Sequence, residues 1–96
     1  MRDHKNLDPE RILMRSLKTP EALEKYEKIS LGQEIKRLRQ RAKMKQLELA
    51  RKLGTSQSVV ARIENGKQNL SIGTLIRIGH VLKKRIVIGF KKDPAH

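Results

Sequence analysis

Gln46-Leu47-Glu48-Leu49-Ala50-Arg51-Lys52-Leu53-Gly54-Thr55-Ser56-Gln57-Ser58-Val59-Val60-Ala61-Arg62-Ile63-Glu64 is the stretch that decides the fold. Leu49, Ala50 and Leu53 share one face of a helix that opens at Gln46, and this spacing predicts a helix over 46–53. Gly54 follows where the pattern stops; lacking a Cβ, it takes the left-handed conformation at a helix C-cap without steric cost. Thr55-Ser56 then offers a capping hydroxyl to a second helix over 57–64, with Val60 and Ile63 turned inward. Two short helices joined by a glycine-containing turn make a helix-turn-helix.

Working outward, Leu31, Ile35, Leu38 and Ala42 form one helical stripe, with Lys36, Arg37, Arg39, Arg41 and Lys43 around the rest of that helix. On the other side, Asn65-Gly66 ends the second helix of the motif. Ser71 caps a further helix from Ile72 to about Lys83, with Ile72, Leu75, Ile78 and Leu82 expected in the core. These four helices make a domain over 30–84. Ahead of it, Asp8-Pro9-Glu10 and Thr19-Pro20-Glu21 each combine a capping residue, a proline and an acid, which starts a helix twice. The arm over 1–29 is therefore read as a disordered stretch over 1–6 and two helices, one from Glu10 to about Leu17 and one from Pro20 to about Lys28.

The tail, 85–96, is of another kind. Arg85-Ile86-Val87-Ile88-Gly89-Phe90 is β-branched and apolar, with Ile86, Ile88 and Phe90 alternating onto one face, so a strand is expected. A lone strand cannot satisfy its own backbone groups, and the chain has no second candidate. A symmetry mate is the economical partner, which makes Ile86, Val87, Ile88 and Phe90 the expected interface of a homodimer. The fold class is then mainly α: four core helices, an N-terminal helical arm, and one C-terminal β-strand paired across the dimer.

Composition narrows the function. With 96 residues there is room for one modest domain and short arms. One Phe, one Tyr and no Trp leave the core to Leu, Ile and Val. No cysteine is present, which removes disulfides and thiolate metal sites and favours a reducing interior. No apolar run approaches the roughly 20 residues of a membrane span, and Met1 to Leu7 is polar, without a signal-peptide core; a soluble, cytoplasmic protein is expected. The net charge of +13 is uneven: residues 1–30 carry a net of +1 and residues 31–84 a net of +10. A segmental excess of that size points to a polyanion, with nucleic acid ahead of an anionic membrane surface and of a merely solvated basic face.

In a helix-turn-helix the first helix crosses the DNA backbone, and the second puts its N-terminal side chains into the major groove. Gln57, Ser58, Ala61 and Arg62 take the outward positions of that second helix and are the candidate base readers. Gln can bind adenine and Arg guanine in bidentate fashion, each worth roughly 1–3 kcal/mol of discrimination. Gln46, which opens its helix, and Asn65, Lys67 and Gln68, which follow the reading helix, are candidate phosphate contacts. So is Lys45, with Arg37, Arg41 and Lys43 as weaker candidates beside the reading that they are simply solvated. His4, His80 and His96 are far apart and make no metal-ligand spacing, and His80 is expected to be partly exposed. Gly66-Lys67 lacks the spacing of a phosphate loop, and no nucleophile stands near a base. No enzyme activity, metal or cofactor is expected.

The run from Leu31 to Lys83 resembles the XRE family, which shares its fold with lambdoid phage repressors and Cro proteins. The resemblance rests on Ile35-x-x-Leu38-Arg39, Gln46-x-Glu48-Leu49-Ala50-x-x-Leu53-Gly54, Ser56-Gln57-Ser58, Ile63-Glu64-x-Gly66-Lys67 and Leu75. It implies phosphate contacts at Gln46 and Asn65, base contacts at Gln57, Ser58 and Arg62, and a structural pairing of Glu64 with Arg39. Where the phage proteins have a fifth helix, this chain has Arg85 to Phe90. That ending, with Thr19-Pro20-Glu21-Ala22-Leu23-x-x-Tyr26-Glu27 in the arm, is more similar to HigA-type antitoxins. This likeness implies a repressor on the palindromic operator of its own operon and a partner in a small, basic, HigB-like ribonuclease toxin. The nearly neutral arm, with Asp8, Glu10, Glu21, Glu24 and Glu27, could dock such a toxin or pack on its own domain. A plain XRE-type regulator without a toxin, and a non-specific nucleic-acid binder, are the alternatives.

Overall fold

A computed structural model describes residues 9–92. Five helices follow one another: α1 (Pro9–Ser16), α2 (Pro20–Arg41), α3 (Gln46–Leu53), α4 (Gln57–Glu64) and α5 (Ile72–Val81). The starts of α2, α4 and α5 are ones that the capping chemistry predicts. Thr19, Ser56 and Ser71 each accept a hydrogen bond from the backbone N–H three residues on, at 3.1, 3.3 and 3.1 Å. The expected disorder over 1–6, the cap at Asp8 and the last residues of the tail lie outside the described residues.

The helices from α2 to α5 all end in the same way, on a residue with positive φ. In α3 and α4 it is a glycine, Gly54 (φ 72°) and Gly66 (φ 73°). Lys43 (φ 56°) and Lys83 (φ 57°) take that place after α2 and α5, in a conformation that disfavours residues with a Cβ. In each case the next N–H reaches back to the last turn: Met44 to Arg39, Thr55 to Ala50, Lys67 to Arg62 and Lys84 to Gly79, at 2.8–3.1 Å. These reversals fold the chain back on itself and pack α3 on α4, α2 on α4 and α3 on α5. The core they close holds Ile35, Leu49, Ala50, Val60, Ile63, Ile78 and Leu82, with Leu31, Leu38, Leu53 and Leu75 packed against it.

The structure corrects the sequence reading in three places. First, the second arm helix and the first domain helix are one: α2 runs unbroken through Lys28-Ile29-Ser30-Leu31, and the expected boundary at residue 30 falls inside it. Nothing there stops a helix, because the nearest breaker, Gly32, costs a helix interior only about 1 kcal/mol. Gly32 answers a different need. A Cβ built on it would lie 2.3 Å from the Ile63 carbonyl oxygen and 2.8 Å from that of Glu64. The glycine lets α2 lie directly on the end of α4.

Second, Ile72 is 58 % exposed rather than buried. The core face of α5 is set by Leu75, Ile78 and Leu82, and at 3.6 residues per turn Ile72 sits about a quarter turn away from it. Ala42 is likewise exposed, since it caps α2 beyond the packed part of the stripe. Third, no strand forms among the described residues, and 84–92 has no regular structure. One chain offers this segment no partner edge, and an unpaired strand has no ladder to hold it.

α1 stands outside the packed helix pairs, and every buried residue of α2 lies in its second half. The molecule accordingly measures 55 × 25 × 21 Å, with a radius of gyration of 16.0 Å, against about 12.5 Å for a compact chain of this length.

The contact at Gly32 is open to test. Gly32→Ala should lower stability by about 1–3 kcal/mol, because the obstruction is backbone that cannot rotate away. Urea unfolding checks this; an unchanged or raised midpoint would show that helix propensity outweighs the close approach.

Candidate nucleic-acid interface

The interface is built over a buried ion pair. Arg39, near the end of α2, and Glu64, the last residue of α4, are both buried. The Arg39 Nε donates to Glu64 Oε2 at 2.6 Å and its Nη2 to Oε1 at 3.0 Å, a two-point pairing of guanidinium and carboxylate. Nη1 donates to the Met44 carbonyl at 2.8 Å, in the turn between α2 and α3. One side chain thereby ties α2, the turn that follows it and the end of α4 together. Among the described residues no buried side-chain N or O atom lacks a partner, as a buried charge requires.

From Glu64 the network runs outward. Gln46 Nε2, on the first residue of α3, donates to Glu64 Oε1 at 3.0 Å, and its own Oε1 accepts from Gln57 Nε2 at 3.4 Å. Gln57 is the first residue of α4 and is exposed. The core thus reaches the first residue of α4 through two amides, which set how the N-termini of α3 and α4 face each other.

The remaining candidates are distributed as follows. Ser58 and Arg62 are exposed beside Gln57, and Ala61 is half-buried. The Ser58 hydroxyl shares a hydrogen bond with the capping Ser56 hydroxyl at 3.0 Å. Arg62 Nε donates to Gln68 Oε1 at 3.1 Å. Lys45, Asn65 and Lys67 are exposed, and Gln46 and Gln68 half-buried. Val60 and Ile63, on the opposite side of α4, are buried as expected. The Arg39–Glu64 pairing is the one that the family resemblance implies. The amide links Gln46–Gln57 and Gln68–Arg62 were not legible beforehand, since neither pair is spaced as helical neighbours.

Ile86, Val87, Ile88 and Phe90 lie away from this face. Ile86, Val87 and Ile88 border a groove of about 810 Å³ between α2 and α5, lined by Leu31, Leu38, Leu75 and Leu82 among others. Ile86 is half-buried, whereas Val87, Ile88 and Phe90 are exposed. His80 is also exposed. Among the described residues there is no group of three or more His, Asp or Glu able to hold a metal ion, and no helix is long and apolar enough to cross a membrane.

A short turn between two helices, with a polar face on the second and an apolar face beneath it, defines a DNA-binding helix-turn-helix domain. The comparison with protein families agrees: a model described as helix-turn-helix matches residues 35–88, and the chain belongs to that family, the XRE type of helix-turn-helix protein. The match starts within α2 and ends in the segment after α5. No curated protein and no solved structure matches the chain.

Removing one member of the ion pair should expose its cost. Glu64→Ala leaves Arg39 buried without its carboxylate and should destabilise the fold by about 3–5 kcal/mol. Replacing both Arg39 and Glu64 by Met should recover much of that loss. Urea unfolding of the three proteins decides it, and a single substitution costing under about 1 kcal/mol would contradict the pairing's role.

Proposed function

We propose that the protein is a sequence-specific transcriptional repressor that binds a palindromic operator as a homodimer. One observation carries this reading: the outward face of α4 presents Gln57, Ser58 and Arg62 together, at the centre of the segment that holds a net charge of +10. A purely electrostatic binder needs cations on its contact helix, not an amide and a hydroxyl in its first turn. Gln57 reads adenine, Arg62 guanine and Ser58 either type of edge, while half-buried Ala61 leaves room for a base to approach. Lys45, Gln46, Asn65 and Lys67 hold the flanking phosphates and set the register of α4 in the groove. Repression follows from occupying the operator, and DNA binding places the protein in the cytoplasm with the nucleoid.

The homodimer supplies the two-fold symmetry. Residues 85–90 have an exposed apolar edge and no strand partner among the described residues, and pairing two copies through Ile86, Val87, Ile88 and Phe90 satisfies both. Two copies of α4 set about 34–36 Å apart would then read half-sites one helical turn apart. A narrower reading makes the protein an antitoxin, with the arm of α1 and the first half of α2 docking a small basic ribonuclease toxin. It rests on the arm, in which α1 lies outside the packed helix pairs and Glu21, Glu24 and Glu27 are exposed. A Lys28–Glu24 ion pair at 2.7 Å holds the Glu24 carboxyl below its ordinary pKa and offsets its charge, which leaves Glu21 and Glu27 as the acids on offer. Co-purification of a basic protein encoded next to this chain checks the antitoxin reading, and absence of such a neighbour ends it.

Two results test the main proposal. A duplex selected by the protein from a random pool should bind roughly 10³-fold or more tighter than random duplex at matched salt; equal competition by random duplex would leave only a non-specific binder. Deleting residues 85–90 should convert a sedimenting dimer into a monomer, and a deletion product that stays dimeric refutes the proposed interface.

A further inference from the structure

The loop after α4 returns to that helix at one side chain. Gly66 reverses the chain with φ 73°, and the Lys67 N–H donates to the Arg62 carbonyl at 2.8 Å. The reversal is held from outside as well. A Cβ built on Gly66 would lie 2.7–2.9 Å from Ile29 of α2, including its backbone, so α2 packs against the turn itself. Gln68 follows two residues later, half-buried at a crevice beside Leu53, Val59 and Ile63. From there its Oε1 accepts from Arg62 Nε at 3.1 Å.

We propose that Gln68 is a positioning residue for specificity: it orients Arg62 for guanine before DNA arrives, rather than touching phosphate. The inference rests on the reading of Arg62 as a base-contacting residue. The guanidinium has five donors, and the bond to Gln68 uses the one on Nε. Nη1 and Nη2 stay available as a fork, the pair of donors that matches guanine O6 and N7. A free, exposed arginine surrenders much rotamer freedom on binding, and one already held by a loop surrenders less. Part of that ordering is thus done in the folded protein, by a loop that α2 braces. Because Gln68 is neutral and its oxygen holds Arg62, its contribution is assigned to sequence discrimination and not to general attraction for the phosphate backbone.

The test uses the full chain, the duplex it selects from a random pool, and a random duplex of equal length. Fluorescence anisotropy at fixed salt gives the ratio of the two affinities for wild type, Arg62→Ala, Gln68→Ala, Gln68→Glu and the double alanine variant, each first shown to melt as wild type does. Gln68→Ala should lower the ratio by roughly three- to tenfold, the worth of a modest hydrogen bond, while affinity for random duplex changes by less than about twofold. In the Arg62→Ala background the same substitution should have no further effect. Gln68→Glu keeps an acceptor oxygen and should hold the ratio near wild type, even as its charge weakens both complexes. Equal losses on both duplexes for Gln68→Ala, or an effect of that substitution that persists without Arg62, would overturn the proposal and make Gln68 a phosphate contact. An Arg62→Ala variant with an unchanged ratio would instead remove the base-reading role of Arg62, and the proposal with it.

Discussion

The buried pairing of Arg39 with Glu64 is the interaction on which the rest depends. A charged pair in the core of so small a domain is costly to desolvate, and a well-packed apolar pair often stabilises as much. What the ion pair adds is direction. Its two-point geometry fixes the end of α4 against α2, Nη1 holds the α2–α3 turn, and the remaining capacity of Glu64 anchors Gln46. Hydrophobic contacts among Leu49, Val60 and Ile63 bring these helices together without such orientation, since apolar attraction is non-directional. The polar centre turns a packed cluster into a frame that presents one helix in one way.

Presentation also depends on close approach. Gly32 lets α2 lie on the carbonyls of Ile63 and Glu64, and Gly66 lets Ile29 lie on the turn after α4. Both contacts brace the C-terminal end of α4, while Ser56 and the Gln46–Gln57 link fix its N-terminal end. The helix is only eight residues long, too short to be stable by itself. Its orientation is therefore a property of the surrounding structure, and substitutions that disturb α2 are felt at the exposed side chains of α4. The long α2 gives the arm the same coupling, because one continuous helix joins Pro20 to the ion pair at Arg39.

Much of this was legible in the sequence, for local reasons. Capping residues, helical periodicity and Gly54 located α3, α4 and α5 because those signals act within a few residues, and Val60 and Ile63 were assigned inward on spacing alone. The continuity of α2 was not legible, because the change in charge and pattern at Leu31 is a change of surroundings along one helix and not a break in it. Ile72 was misplaced because helical phase cannot tell which of two adjacent apolar stripes meets the core. The expected C-terminal strand does not form, because an alternating apolar pattern marks a face but supplies no partner edge. At the site, the residue types came from the motif, but the amide links from Gln46 to Gln57 and from Gln68 to Arg62 are products of tertiary approach. No spacing announces them.

On the proposed reading α4, held over the Arg39–Glu64 pair, is the surface that meets DNA. Amide chemical shifts of the isotope-labelled protein, followed as the selected duplex is added, test it most directly. The account predicts the largest changes at the N-termini of α3 and α4 and over 65–68, with α1 and the exposed face of α5 around Ile72 and Ile76 little affected. Changes centred on α5 or on the arm, with α4 silent, would contradict it.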